Sequence, residues 1–218
     1  MRHLIDTYIQ AEEPRKISPF DYMSLLELIV NTGIAEAIAQ RLGVLQDNKN
    51  AVAETIENNV RSKIIKEHLN DPAYYEKMSA LLDEIIAARK AKAIEYEDYL
   101  KRIAALAKQV EAGQADDTPE ALKNSPALRA VYNNLKQHSA KPEGLKGVAE
   151  ERGEYTVPGD PVLLLAQRID ATVKQVRPDD WRGVEPRERV IKQALFRILQ
   201  DVAEVERIFL IIKVQKEY

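Results

Sequence analysis

The sequence has no cysteine among its 218 residues, and it has few glycines and few aromatic residues. A chain without cysteine can form no disulfide framework, no thiolate nucleophile and no cysteine-based zinc site. Apolar runs such as 208–212 are far shorter than the roughly 18 residues that a membrane-spanning helix needs. Near the start, Asp6 stands where a secretory signal would remain apolar. We therefore expect a cytoplasmic protein.

Charged residues are abundant, but the two signs are nearly balanced. They make up 31% of the chain beside 45% hydrophobic residues, a composition that supports a buried core and argues against broad disorder. The net charge of −3 excludes a chain that is basic throughout. Residues 161–200 nevertheless hold eight basic and five acidic residues, whereas residues 1–60 hold five basic and nine acidic ones. Any contact with nucleic acid is therefore expected in the C-terminal part.

Apolar residues recur at helical spacing along most of the chain, and no stretch shows the sustained two-residue alternation of a half-buried strand. Asp21, Asn50 and Asp71 are candidate N-caps, and Asp71 is followed by Pro72 at the first helical position. The spacing predicts an all-α fold, a multi-helix bundle or antiparallel array of long amphipathic helices. Near Glu95 the pattern allows either a bend or a straight helix.

Four parts of the chain differ in periodicity. Residues 1–48 contain short helical stretches, residues 49–135 contain the long helices of a central bundle, and residues 161–218 contain helices that would pack on that bundle. Residues 136–160 are rich in Lys, Glu, Gly and Pro and predict one long irregular loop. One buried face among the C-terminal helices is predicted from helical spacing: Val190, Ala194, Leu195, Ile198 and Leu199.

Motifs for catalysis and for phosphate binding are missing from the sequence. A phosphate-binding loop needs spaced glycines followed by Lys and Ser or Thr, and the nearest candidate, at 144–147, lacks both the spacing and the hydroxyl. A metal-dependent nuclease site needs an Asp and a Glu-x-Lys triplet, and the triplet does not occur. His3, His68 and His138 are scattered, without metal-ligand spacing. We therefore expect no enzyme activity, cofactor or metal in this chain.

The single tryptophan stands in a cluster of charged residues. Trp181 lies between two predicted helices and is followed by Arg182, Arg187, Arg189 and Lys192. Aromatic side chains at such junctions usually serve packing, so Trp181 is predicted to be a structural anchor. Arg189 and Lys192 are three residues apart and would share one helical face. The four basic residues are candidates for contact with DNA phosphates or with an acidic partner surface.

Several segments are informative as an ordered set, although none of them is specific by itself. They are RHLIDTYIQAEE at 2–13, ETIENNVR at 54–61, NDPAYYEKMSALLDEII at 70–86, YEDYLKRI at 96–103, DWRG at 180–183, VIKQAL at 190–195 and IKVQKEY at 212–218. In this order, along almost the whole chain, they closely resemble the C-terminal region of the R subunit of type I restriction enzymes. The R subunit is the motor and restriction subunit of that family.

The resemblance implies a non-catalytic helical domain. The family's R subunit joins a nuclease, two RecA-like ATPase motor lobes and a C-terminal helical region, and it cuts DNA after ATP-driven translocation. ATP and Mg²⁺ would bind in the motor and nuclease domains, whose residues have no counterparts here, and residues 1–48 would lead in from the motor lobes. The implied partners are the modification and specificity subunits of the methyltransferase core and duplex DNA, with no membrane.

A second hypothesis is a free-standing helical protein with a small-molecule or nucleotide pocket between its helices. This hypothesis predicts a charged pocket lined by Arg and Tyr from several helices. The sequence by itself leaves this hypothesis open beside the first.

Overall fold

The computed structural model describes residues 23–45, 47–114, 118–139 and 160–218. The helices in these ranges are α1 (Leu25–Thr32), α2 (Ile34–Arg41), α3 (Lys49–Glu67), α4 (Pro72–Lys90), α5 (Tyr96–Ala112), α6 (Glu120–Lys123), α7 (Pro126–Ser139), α8 (Pro161–Val176), α9 (Glu185–Leu199) and α10 (Val202–Val214). A 3₁₀ turn, Gly43–Leu45, lies between α2 and α3. The described residues contain no β-strand, so the predicted all-α fold is confirmed.

The two long helices α3 and α4 begin at polar capping residues. Asp71 caps α4 and Pro72 occupies its first turn, as predicted. The cap of α3 is Asn48 rather than Asn50, because the Asn48 side chain accepts a hydrogen bond from Ala51 N at 3.1 Å. A residue two positions later would already lie inside the first turn, where its side chain cannot reach a free backbone N–H.

The first described helix begins at a capping box. Ser24 Oγ accepts from Glu27 N at 3.1 Å, and the Glu27 carboxylate accepts from Ser24 N at 2.6 Å. Asp21, the predicted cap, lies outside the described residues. Gly33, with a φ of +89°, then turns the chain between α1 and α2, a conformation that glycine adopts without steric cost.

Between α4 and α5 the chain bends instead of continuing as one helix. α4 ends at Lys90, and α5 begins at Tyr96 after an extended Glu95. Lys92, in the link, has a φ of +53°, which lies in the left-handed region and cannot continue a helix. α4 and α5 then pack against each other. Of the two possibilities near Glu95, the bend is therefore correct.

The buried apolar residues form two clusters, and the chain divides between α5 and α6. Helices α1 to α5 enclose the first cluster, here called the N-terminal half, with Ile56 and Ile103 fully buried at its centre. Helices α6 to α10 enclose the second, the C-terminal half, with Ile169 and Leu195 fully buried. Each long helix turns an apolar stripe towards its own cluster, as the spacing of the sequence predicts.

This division differs from the boundaries drawn on the sequence. Residues 122–135, predicted to belong to the central bundle, contribute Leu122, Val131 and Leu135 to the C-terminal half. Helix α7 packs on α8 within that half and on α4 across the division. Because α7 has neighbours on two sides, its apolar residues could not assign it to one half from the sequence alone.

The loop predicted at 136–160 begins later than expected. Residues 136–139 form the last turn of α7, and residues 140–159 lie outside the described ranges. Residues 1–22, which hold part of the predicted short N-terminal helices, also lie outside them. These two predictions remain untested.

Helix α9 buries its predicted face with one exception. Ala194, Leu195 and Leu199 are buried and Ile198 is partly buried, but Ile191 takes the place of Val190, which is 44% exposed. Ile191, Leu195 and Leu199 follow each other at four-residue intervals, so the buried stripe passes through Ile191 and turns Val190 aside.

Among the described helices, none has both the length and the apolarity needed to cross a bilayer.

Candidate interaction surface

Trp181 lies inside the C-terminal half, at the junction between α8 and α9. It is 2% exposed, and its ring centroid lies 5.8 Å from that of Phe209 on α10. The guanidinium carbon of Arg182 lies 4.6 Å from the Trp181 ring centroid. Within the part of the chain that the structure describes, Trp181 Nε1 has no hydrogen-bond partner. These contacts are those of a side chain that packs a helix junction.

Two of the four candidate contact residues bind the backbone of the protein itself. Arg182 donates from Nε to the carbonyl of Lys213 at 2.9 Å and from Nη2 to the carbonyl of Tyr218 at 2.6 Å. Arg187 donates to the carbonyl of Asp179 at 2.7 Å, across the turn that precedes α9. A guanidinium group used in this way has fewer N–H donors left for a phosphate.

The other two candidates lie on α9 and pair with acidic side chains. Arg189 pairs with Glu185 one turn earlier, at 2.8 Å, and both side chains are exposed. Lys192 reaches Glu206 of α10 at 2.6 Å, and its ammonium nitrogen lies 4.7 Å from the centroid of the Phe209 ring. Exposed pairs such as Arg189–Glu185 contribute little to stability. Arg189 can therefore exchange its partner for a phosphate or a carboxylate of another molecule.

An exposed apolar surface on α9 and α10 was not singled out from the sequence. Phe196, Val202 and Leu210 are 46%, 67% and 62% exposed. Phe196 and Val202 line a shallow groove of about 350 Å³ between the two helices. Leu210 lies about two helical turns beyond Val202 on α10. These three residues are called the α9–α10 surface below. The groove is also lined by Lys192, Gln193, Arg197, Val205 and Glu206.

A signal for this surface is present in the sequence of α10. Residues 208–212 are five consecutive apolar residues, and such a run extends round the whole helix. The C-terminal half covers Ile208, Phe209, Ile211 and Ile212 but leaves Leu210 outside. A run of this kind indicates that one apolar residue will be exposed or covered by a partner. The neighbouring helices decide which residue that is.

A second groove, of about 330 Å³, lies between α3 and α4. Behind it, Arg89 binds the Glu57 carboxylate through Nε at 2.8 Å and Nη2 at 3.1 Å, and the Tyr99 hydroxyl donates to the same carboxylate at 3.1 Å. Both Glu57 oxygens thus already accept hydrogen bonds from other residues of the chain. The groove is lined by Glu54, Glu57, Asn58, Arg61, Ile86 and Lys90. This lining comes from two helices, without tyrosine, and does not match the pocket that the second hypothesis requires.

The two halves meet at a buried polar junction between α4 and α7. Asp71 is 6% exposed and accepts hydrogen bonds from Asn133 Nδ2 at 2.7 Å, Asn134 Nδ2 at 2.9 Å and Tyr74 N at 3.2 Å. Burial raises the pKa of Asp71 to about 6, although these hydrogen bonds and the positive charge of Arg129 oppose the rise. The junction thus holds a carboxyl group whose charge is poorly hydrated.

In the described ranges, no group of three or more His, Asp and Glu side chains could hold a metal ion. Comparison with known proteins finds no relative of the chain. No family model, no curated protein and no solved structure matches it. The resemblance to the R subunit, which comes from the sequence, therefore stays a prediction.

Proposed function

We propose that this chain is the non-catalytic C-terminal helical region of a type I restriction enzyme R subunit. Its role would be assembly with the methyltransferase core, made of modification and specificity subunits, and contact with duplex DNA. The ordered set of sequence segments supports this assignment. The all-α architecture agrees with the helical domain that the resemblance implies.

The α9–α10 surface is the observation that carries the assembly role. Exposed apolar side chains that share a groove between neighbouring helices, as Phe196 and Val202 do, are typical of surfaces that another protein covers. Arg197 borders the groove beside Phe196, whereas Lys192 is paired with Glu206 of the same groove, so a matching partner would present apolar side chains with an acidic residue opposite Arg197. The assembly role predicts a stoichiometric complex with the core, which Leu210→Glu should weaken.

The DNA contact is supported by the outer side of α9. Arg189 is 66% exposed at its side chain and engages only an exposed carboxylate of its own helix among its described ion pairs. Lys192 follows it by three residues and is also accessible. Arg182 and Arg187 would act indirectly, by fixing the turn that leads into α9.

The DNA contact is tested by the double change Arg189→Ala and Lys192→Ala. Each lost phosphate contact should reduce the salt dependence of affinity, the slope of log affinity against log salt, by about one unit. We expect a total reduction of roughly two units, with weaker binding to every duplex sequence. Fluorescence anisotropy with a labelled duplex at several salt concentrations measures both quantities.

The matched control removes two ion-paired lysines on other helices, Lys101 of α5 and Lys123 of α6, through Lys101→Ala and Lys123→Ala. It changes the net charge by the same amount and should leave the salt slope unchanged. If the two double variants lower the slope equally, the effect comes from overall charge and α9 is not the DNA contact.

A further inference from the structure

Asp71 joins the two halves of the molecule without a salt bridge. Its carboxylate receives amide N–H groups from α7, and among the described residues no ion pair includes it. Arg129 of α7 is the cation that acts on Asp71 by its charge. The Arg129 guanidinium, however, donates to the Gln114 side chain and to the carbonyl of Leu122. The hydrogen bonds that the Asp71 carboxylate accepts therefore come from neutral groups, and Arg129 acts on it through its charge without a direct bond.

Closure of the junction and the charge of Asp71 are coupled by solvation. When α4 and α7 are in contact, the carboxyl group is withdrawn from water, which disfavours its ionised form. If the contact opened, water would hydrate the carboxylate again. A proton that binds Asp71 must therefore favour the closed contact, by the same free energy with which closure favours the proton.

The side chains of Asn133 and Asn134 can form hydrogen bonds with Asp71 in both of its protonation states. The Asn134 amide is fixed, because Nδ2 donates to the carbonyl of Ala130 as well as to Asp71. The Asn133 amide has one hydrogen bond from Nδ2, to Asp71 Oδ2. It can turn over to present its oxygen, which then accepts the proton of a neutral Asp71. An arginine or lysine in this place would have stabilised the carboxylate only.

We propose that Asp71, Asn133 and Asn134 form a proton-sensitive junction, which holds the two helical halves together more firmly when the carboxyl group is protonated. Gln215 adds a second link near it, since its amide donates to the carbonyl of Asn70 at 2.6 Å. Such a junction would set how readily the halves separate or reorient. It belongs to the fold and would operate whatever partner the chain binds.

Other charged groups lie around the junction and influence the protonation of Asp71. Arg129 of α7 favours the carboxylate of Asp71. Glu67 of α3 and Glu111 of α5 act with Asp71 on the hydroxyl of Tyr75, whose pKa is raised to about 12, chiefly by burial. Tyr75 therefore stays neutral across the pH range in which Asp71 titrates.

The sign and size of the effect follow from the raised pKa. Asp71 titrates near 6 in the closed junction, whereas an exposed aspartate titrates at 3.8. Closure is favoured most below pH 3.8, and this advantage is lost as the pH rises through 6. Between pH 7.5 and pH 5, the equilibrium constant for opening should fall by about tenfold.

Amide hydrogen exchange measured by NMR at pH 5 and pH 7.5 tests the proposal, after correction for the intrinsic exchange rates. The Asn134 side-chain amide, which donates from α7 to Asp71 across the junction at 2.9 Å, reports its opening. Its opening constant should be about tenfold lower at pH 5, whereas those of Val60 and Ile208, in the cores of the two halves, should change much less. Equal changes at all three amides would indicate a change in global stability and would overturn the proposal.

Variants separate Asp71 from other titrating groups. His68 and its pair with Glu76 lie close by, and histidines change charge in the same pH window. The experiment is therefore repeated with all three histidines changed to Gln, and the tenfold difference should persist. Asp71→Asn should remove it, whereas Asp98→Asn, at an exposed position, should not. Loss of the difference in the histidine variant would also overturn the proposal, and that result needs no substitution at Asp71.

Discussion

At the scale of the residue, the N-terminal half keeps two acidic side chains buried by different means. Glu57 faces a full positive charge, since Arg89 binds both of its oxygens and Tyr99 adds a third donor. Asp71 faces neutral amides. The hydrogen bond to Glu57 raises the pKa of Arg89, so the guanidinium keeps its charge. The contact between Arg89 and Glu57 should therefore act as a fixed structural pair, whereas Asp71 responds to pH.

Glu57→Ala should strongly destabilise the protein. The substitution leaves the guanidinium of Arg89, which is 12% exposed, without its counter-charge. Removal of one partner of a buried pair costs about 3 kcal/mol of unfolding free energy or more. Urea denaturation followed by circular dichroism measures the loss.

Asp83→Ala is the matched comparison, because it removes an arginine's acidic partner at an exposed site. Asp83 pairs with Arg61 at 2.7 Å, but their side chains are 61% and 41% exposed. Its loss should cost less than about 1 kcal/mol. Equal effects of the two substitutions would mean that the Glu57 pair contributes no more than a surface ion pair.

At the scale of the element, the C-terminal segment 215–218 completes the C-terminal half without being helical. The Glu217 carboxylate accepts from Ala127 N at 3.0 Å and from Ser125 Oγ at 2.7 Å, and so satisfies the start of α7. Tyr218 is 3% exposed, and its hydroxyl donates to Asp170 of α8 at 2.8 Å. The segment that follows α10 therefore binds α7 and α8, which are far from it in sequence.

Arg182→Ala should release this segment. Arg182 donates to the carbonyls of Lys213, Gln215 and Tyr218, so the substitution leaves these acceptors unpaired. The expected loss is about 2 kcal/mol of unfolding free energy, with faster exchange of the Gln215 amide. Arg182→Lys should restore little of it, because a single ammonium group lacks the fork of donors.

The control for this prediction is Arg189→Ala, which removes an exposed arginine from α9 nearby. It should change the unfolding free energy by about 0.5 kcal/mol at most. If Arg182→Ala is equally mild, Arg182 does not hold the segment and is again available as a contact to DNA.

The local features of the elements were predictable, whereas their long-range contacts were not. Asp71 followed by Pro72 marks the start of α4 with information held in adjacent residues, and the structure agrees. The position of α7 between the halves depends on α4 and α8 together. Likewise, the partner of Arg182 at Tyr218 is 36 residues away. The residues next to a basic side chain in a charged turn do not show whether it binds a distant carbonyl or a phosphate.

At the scale of the whole molecule, the C-terminal half is better suited to docking than to binding DNA by charge alone. Ion pairs with acidic side chains already engage six of its lysines and arginines: Lys123, Lys174, Arg189, Lys192, Arg207 and Lys213. The α9–α10 surface, by contrast, remains apolar and exposed. We therefore expect contact with DNA to be weak until a protein partner positions α9 beside it.

Light scattering of the chain mixed with its cognate methyltransferase core tests the assembly role most directly. The proposal predicts a stoichiometric complex, at least tenfold weakened by Leu210→Glu and unaffected by Ile65→Glu, which changes a similarly exposed aliphatic residue on α3. No complex at tens of micromolar, an affinity of about −6 kcal/mol or weaker, would contradict a docking role for this chain. Equal binding by both variants would show that the α9–α10 surface is not the site of assembly.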